Sequence, residues 1–139
     1  MPVVYLDHQN FTAMVTTEIA QLSSECNAWR DTLRSFRDEF SHLKNRLQEV
    51  AARQTHKEVL LEIEHLDNQF HIQLINIHDL KQSIKVHERK VNFERSGNNG
   101  QISDETLAEH ENLYDEYQAL EQTLQELRDE FEGFVSHVR

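Results

Sequence analysis

The sequence predicts an all-α protein, an antiparallel up-down-up bundle of three long helices with coiled-coil-like heptad packing. Three observations support this prediction. Apolar residues recur with alternating gaps of three and four along three long segments. The only proline is Pro2 and there are three glycines, so little interrupts the helices. Polar stretches separate the segments. Because a 3-4 alternation keeps its residues on one side of a helix, each segment should pack through this stripe, here called its seam.

The first helix is expected over residues 10–53. Its seam consists of Val15, Ile19, Leu22, Cys26, Trp29, Leu33, Phe36, Phe40, Leu43, Leu47 and Val50. Continuing the same phase would next require Gln54 and Lys57, which are polar. The seam of the first helix therefore ends near residue 50.

The second helix is expected over residues 56–95. Its seam consists of Val59, Ile63, Leu66, Phe70, Gln73, Ile77, Leu80, Ile84, His87 and Val91. Thr55 and Glu58 have the spacing of a capping box, which favours a turn near residues 53–56. This junction contains neither glycine nor proline, so one continuous helix with a shifted seam is the alternative.

The third helix is expected over residues 103–138. Residues 96–100 read Ser-Gly-Asn-Asn-Gly, a composition typical of a turn, and Ser103 suits an N-cap. The third seam consists of His110, Leu113, Tyr117, Leu120, Leu124, Leu127, Phe131, Phe134 and Val138. Short connections make neighbouring helices antiparallel, which predicts a single elongated domain over residues 1–139. In outline this arrangement resembles spectrin-like repeats, a likeness of architecture that carries no functional residue.

The charge of the chain argues against nucleic acid and membrane partners. The net charge is −11, and residues 103–139 carry eleven acidic side chains against Arg128 and Arg139. Such a chain repels phosphate backbones and anionic lipid surfaces. Cys26 is the only cysteine, and the N-terminal residues lack the pattern of a signal peptide. We therefore expect a cytoplasmic protein.

Motifs of catalysis are lacking in the sequence. It contains no nucleophile elbow, Walker loop, Rossmann glycine pattern or C-x-x-C, and no two of its nine histidines are three or four residues apart. We expect a protein that is not an enzyme and has no cofactor.

His87 interrupts the seam of the second helix. If the second and third helices form an antiparallel hairpin with its midpoint at residues 98–99, His87 lies level with His110. If the first two helices form a hairpin with its midpoint at residue 55, Cys26 comes to the same layer. Imidazole and thiolate are ligands suited to zinc. Three interpretations stay open: a metal site made by His87, His110 and Cys26, a histidine pair that loosens on protonation, or a polar layer that fixes register.

The second helix also carries apolar residues away from its seam, including Ile72, Ile75 and Val86. A helix with two apolar faces usually has two neighbours. Either this face belongs to the core of the bundle, or a second chain covers it in a homodimer. The sequence therefore predicts a non-enzymatic bundle that acts through protein–protein interaction or self-association, as an adaptor or scaffold does. The alternative function is metal binding or pH sensing by the His87 and His110 layer.

Overall fold

The computed structural model describes residues 3–97 and 100–138, with side chains from residue 19 onward. Three helices follow one another: α1 (Val3–Ala51), α2 (Lys57–Gly97) and α3 (Asp104–Val138). They pack on one another, which confirms the predicted all-α three-helix bundle. Helix α1 begins earlier than the predicted residue 10, and the seam residue Val15 lies outside the described side chains. None of the described helices has an apolar stretch long enough to cross a bilayer.

Helices α1 and α2 are separate, so the alternative of one continuous helix is wrong. Backbone N–H groups of residues 52–54 bond back to carbonyls of the last turn of α1 and close it. The carbonyl of His56 accepts the N–H of Leu60 at 3.0 Å, the first bond of α2. His56, one residue after the predicted Thr55, therefore occupies the N-cap position.

Side chains from both helices shape the connection between α2 and α3. The N–H of Thr106 donates to Ser103 Oγ at 3.2 Å, which confirms Ser103 as the N-cap of α3. The buried carboxylate of Glu94, at the end of α2, accepts the N–H of Ser103 at 2.7 Å and the hydroxyl of Thr106. Asn98 and Asn99 of the predicted turn lie outside the described residues. Glu94 thus joins the end of one helix to the start of the next.

Gly100 has a φ of 77°, a conformation that strains any residue with a Cβ. We expect Gly100→Ala to lower the free energy of unfolding by about 1 kcal/mol. The matched control is Gly133→Ala, in the exposed interior of α3, where a methyl group meets no atom within 4 Å. That variant should gain about 0.5–1 kcal/mol, because alanine favours helix. Urea denaturation of both variants measures the difference, and equal effects would contradict the prediction.

The three seams form the core. From Ile19 to Leu47, every predicted seam residue of α1 is buried, and the described seams of α2 and α3 are buried except at a few partly exposed positions. The ion pairs Glu39–Arg128 and Arg46–Glu132 join α1 to α3. Their residue numbers rise together along both helices, so α1 and α3 run parallel. Helix α2, connected to both by short turns, runs antiparallel to them.

Candidate metal centre

Three potential metal ligands meet in the core near one end of the bundle. Cys26 comes from α1, His87 from α2 and His110 from α3, and each occupies a seam position. These residues are 0%, 0% and 6% exposed, respectively. One ligand atom of each residue lies within 4.8 Å of the others. The structure therefore brings together the three residues predicted to share a layer, here called the Cys–His cluster.

The inner atoms of the cluster face one another. His87 Nε2 lies 2.9 Å from His110 Nδ1, and the Sγ atom of Cys26 lies 4.0 Å from the same nitrogen. The Trp29 ring borders the cluster, with its centre 4.7 Å from the centre of the His110 ring. Two imidazole nitrogens and a sulfur thus converge in a buried place.

The outer nitrogens of both histidines face carboxylates. His87 Nδ1 lies 3.4 Å from Glu109 Oε1, and His110 Nε2 lies 3.1 Å from Glu25 Oε2. Glu25 and Glu109 were not among the site residues predicted from the sequence. Their positions immediately before Cys26 and His110 in the chain were the available signal. A carboxylate behind a histidine orients the ring and raises the basicity of the opposite nitrogen.

A count of protons shows that two neutral imidazoles do not satisfy this chain of contacts. Each neutral ring carries one N–H group, so the two rings have two in total. The three contacts, His110–Glu25, His87–His110 and His87–Glu109, need one proton each. If His110 donates Nε2–H to Glu25 and His87 donates Nε2–H to His110, then His87 Nδ1 is a lone pair facing a carboxylate of Glu109.

Burial sets the protonation of the cluster. It lowers the pKa of His87, and the neighbouring His110 lowers it further, while Glu109 acts in the opposite direction. Burial also raises the pKa of the Cys26 thiol to about 12, with Glu88 adding to the rise. In the absence of a cation, the thiol is therefore protonated and His87 favours the neutral form. A neutral imidazole is the form that binds a metal.

Charged side chains surround the cluster. Glu109 accepts a hydrogen bond from Lys90 Nζ at 3.0 Å, which holds the pKa of Glu109 below its ordinary value. Glu88, adjacent to His87, pairs with Arg30 at 3.1 Å. With Glu25, three carboxylates and two cationic groups lie close to the cluster, which leaves an excess of negative charge for a bound cation to balance.

Tetrahedral zinc would require the ligand atoms of the cluster to move. Two nitrogens bound to zinc at about 2.0–2.1 Å lie about 3.3 Å apart, and a bound sulfur lies about 3.6 Å from each of them. The nitrogens of His87 and His110, at 2.9 Å, need to separate by about 0.4 Å. Cys26 needs to approach His110 by about the same amount from 4.0 Å. The third distance, between Cys26 Sγ and the ligand nitrogen of His87, is at most 4.8 Å, so the sulfur needs to approach that nitrogen by up to about 1.2 Å.

A second predicted surface is exposed on α2. Ile72, Ile75 and Val86 are 38%, 46% and 60% exposed, so the interpretation that this face belongs to the core of the bundle is wrong. The face points away from α1 and α3.

No protein-family model, curated protein or solved structure matches this chain.

Proposed function

We propose that this protein is a non-enzymatic helical bundle that binds Zn²⁺, or a transition ion of similar preference, through Cys26, His87 and His110. One observation carries the proposal: the inner atoms of the Cys–His cluster converge, while both outer ring nitrogens face carboxylates. This is the arrangement in which histidines bind metals, with a carboxylate fixing each ring from behind.

A cation also resolves the proton count. When the inner nitrogens of His87 and His110 bind a metal through their lone pairs, each ring has its N–H on the outer nitrogen. Glu109 and Glu25 then each accept one hydrogen bond. A metal-free polar layer made of two neutral rings leaves one of these contacts without a proton. Burial also opposes the protonated form of His87, on which pH sensing by that ring would depend.

A bound ion would join all three helices at one layer. The thiol of Cys26 would lose its proton on binding, since the thiolate is the ligand. At a free Zn²⁺ concentration about 100-fold above the dissociation constant, binding stabilises the folded state by about 2.7 kcal/mol. For a chain of this size, the melting temperature should rise by about 8–10 °C.

Calorimetric titration of the metal-free protein with Zn²⁺ tests the proposal, together with the absorption spectrum of the Co²⁺ form. We expect one site per chain, the higher melting temperature, and a sulfur-to-cobalt charge-transfer band that Cys26→Ser removes. His87→Gln should abolish tight binding, whereas His78→Gln, the same change at an exposed position of α2, should have no effect. Glu109→Gln should weaken binding by about 10–100-fold.

His87→Leu separates metal binding from folding. Leucine at this seam position suits the core, although His110 Nδ1 loses its 2.9 Å partner at a cost of about 1–3 kcal/mol. The variant should therefore still fold while losing the response to Zn²⁺. A folded wild-type protein that gives neither heat of binding with Zn²⁺ nor a cobalt band would rule the proposal out.

We also propose that the bundle acts through its surface, by self-association in the manner of an adaptor or scaffold. The exposed apolar face of α2, with Ile72, Ile75 and Val86, supports this second function. Light scattering across a range of concentrations measures it, and a monomer throughout that range would contradict it.

A further inference from the structure

Helix α2 has two stripes on opposite sides. Its seam faces α1 and α3. The second stripe, here called the outer stripe, consists of Glu58, Leu61, His65, Asn68, Ile72, Ile75, Asp79, Gln82, Val86 and Arg89. Its gaps alternate between three and four without exception, and all ten residues are exposed. At about 100° per residue, the outer stripe lies roughly opposite the seam. One residue of the stripe, His65, contacts Glu130 of α3 at 3.3 Å, but its side chain is still 56% exposed. Neither α1 nor α3 therefore covers the stripe.

We infer that the outer stripe pairs with the outer stripe of a second copy of this chain, with the two α2 helices antiparallel and the twofold axis at the midpoint between Gln73 and Leu74. This inference rests on the proposed self-association and adds its partner, direction and register. An antiparallel pair of identical helices is an isologous interface, in which every contact occurs twice.

In this register, the layers of the outer stripe match in chemical type. The pairs are Ile72 with Ile75, Asn68 with Asp79, His65 with Gln82, Leu61 with Val86, and Glu58 with Arg89, the second member coming from the other copy. Apolar residues meet apolar residues at the centre and near each end. Polar residues meet polar residues in the layers between them. In the last layer at each end, Glu58 faces Arg89, a pair of opposite charges. Matched layers of this kind fix the register of paired helices.

Charges beside the outer stripe favour the same register. Glu64 and Lys85 are exposed positions that flank the stripe on one side. In the antiparallel pair, Glu64 of one copy lies beside Lys85 of the other, and the reverse contact forms as well. With the terminal layers of Glu58 and Arg89, four pairs of opposite charge form per dimer. Such pairs contribute more to orientation and partner choice than to affinity.

Other arrangements match poorly. Shifting one helix by a heptad toward its C-terminus places Ile72 against Gln82 and Ile75 against Asp79. The apolar side chains of the stripe would then pack against polar side chains. In a parallel pair, Glu58 would face Glu58 and Arg89 would face Arg89. Like charges in direct opposition across an interface are unfavourable. The antiparallel register about residues 73 and 74 avoids both conflicts.

Disulfide crosslinking tests the direction and register. In the double variant Leu61→Cys/Val86→Cys, each new thiol lies beside its counterpart in the other copy, so oxidation should give a covalent dimer. Each single variant should stay uncrosslinked, because two residues 61 would lie about 37 Å apart along the axis. The single variants also retain the native Cys26, which is buried, so any crosslink through that thiol would appear in them as well.

Light scattering in the presence of EDTA tests the association itself, without any contribution from metal ions. The wild-type chain should have twice the monomer mass. Ile72→Glu/Ile75→Glu should raise the dissociation constant of the dimer by more than about 100-fold, with unchanged helicity because both positions are exposed. Tyr114→Glu, an exposed change of similar kind on α3, should leave the dimer intact.

The two experiments fail in different ways. A wild-type monomer at about 1 mM chain would overturn both the dimer and the proposed self-association. A dimer whose single variant Leu61→Cys or Val86→Cys crosslinks by itself would overturn the antiparallel register, while the proposed self-association would stand. A dimer that survives Ile72→Glu/Ile75→Glu would show that a different surface pairs, and would overturn the inference.

Discussion

Phe70→Ala is expected to lower the free energy of unfolding by about 3–5 kcal/mol. Phe70 is fully buried in the core of the bundle, where its ring centre lies 5.8 Å from that of Phe40 and 5.5 Å from that of Phe131. One ring comes from each helix, so truncating the central one leaves a cavity that all three helices border. The melting temperature should fall by about 10–20 °C.

Phe93→Ala is the matched control for this variant. Phe93 belongs to the same helix but is 77% exposed, so the same substitution should change the free energy of unfolding by less than about 0.5 kcal/mol. Thermal and urea denaturation, each followed by circular dichroism, measure both variants. Similar losses for Phe70→Ala and Phe93→Ala would mean that the three rings do not form the centre of the core.

Glu94→Ala is expected to destabilise the protein by about 2–4 kcal/mol at neutral pH. The carboxylate of Glu94 is buried and accepts hydrogen bonds from the N–H of Ser103 and the hydroxyl of Thr106. Removing it leaves the N–H of Ser103 and the buried hydroxyl of Thr106 without this partner. Gln at position 94 retains one acceptor oxygen, so Glu94→Gln should lose about half as much.

The effect of Glu94 should depend on pH in a defined direction. The hydrogen bonds from Thr106 and Ser103 hold the pKa of Glu94 below its ordinary value. A carboxylate whose pKa is lower in the folded state stabilises the fold above its unfolded pKa, which is about 4.3 for glutamate. This contribution is lost as the pH falls through the folded pKa. The stability difference between wild type and Glu94→Ala should therefore be constant near neutrality and shrink in acid.

Urea denaturation at a series of pH values measures this dependence. Glu116→Gln, a substitution at an exposed position of α3, is the control and should have little effect on stability at any pH. A stability difference for Glu94→Ala that stays the same from neutral to acid pH would contradict the role given to the ionised carboxylate.

The candidate site was predictable only in part. Seam phase and loop position sufficed to bring His87 level with His110 and to place Cys26 in the same layer, because heptad spacing fixes the side of a helix and a short loop fixes the level. Glu25 and Glu109 were not identified, since they lie beside the seam. Whether such a residue reaches a core histidine depends on its rotamer and on the rotation of its helix.

Similar reasons explain the other differences. Thr55 was predicted as a cap one residue too early, because local spacing does not fix where a chain leaves a turn. Glu94 continues the spacing of the α2 seam, but its capping of α3 depends on how the chain folds back after Gly97. The wide apolar character of α2 was visible in the sequence, but its exposure depended on where the other two helices pack.

By itself, the sequence determined the three helices, their seams and the up-down-up order, because these follow from periodicity and turn chemistry that act over a few residues. Only the tertiary structure decided which ring nitrogens of His87 and His110 face each other, which carboxylates stand behind them, and that Ile72 and Ile75 remain exposed. These features depend on distances of a few tenths of an ångström and on angles between helices, which are set by the packing of side chains distant in the chain.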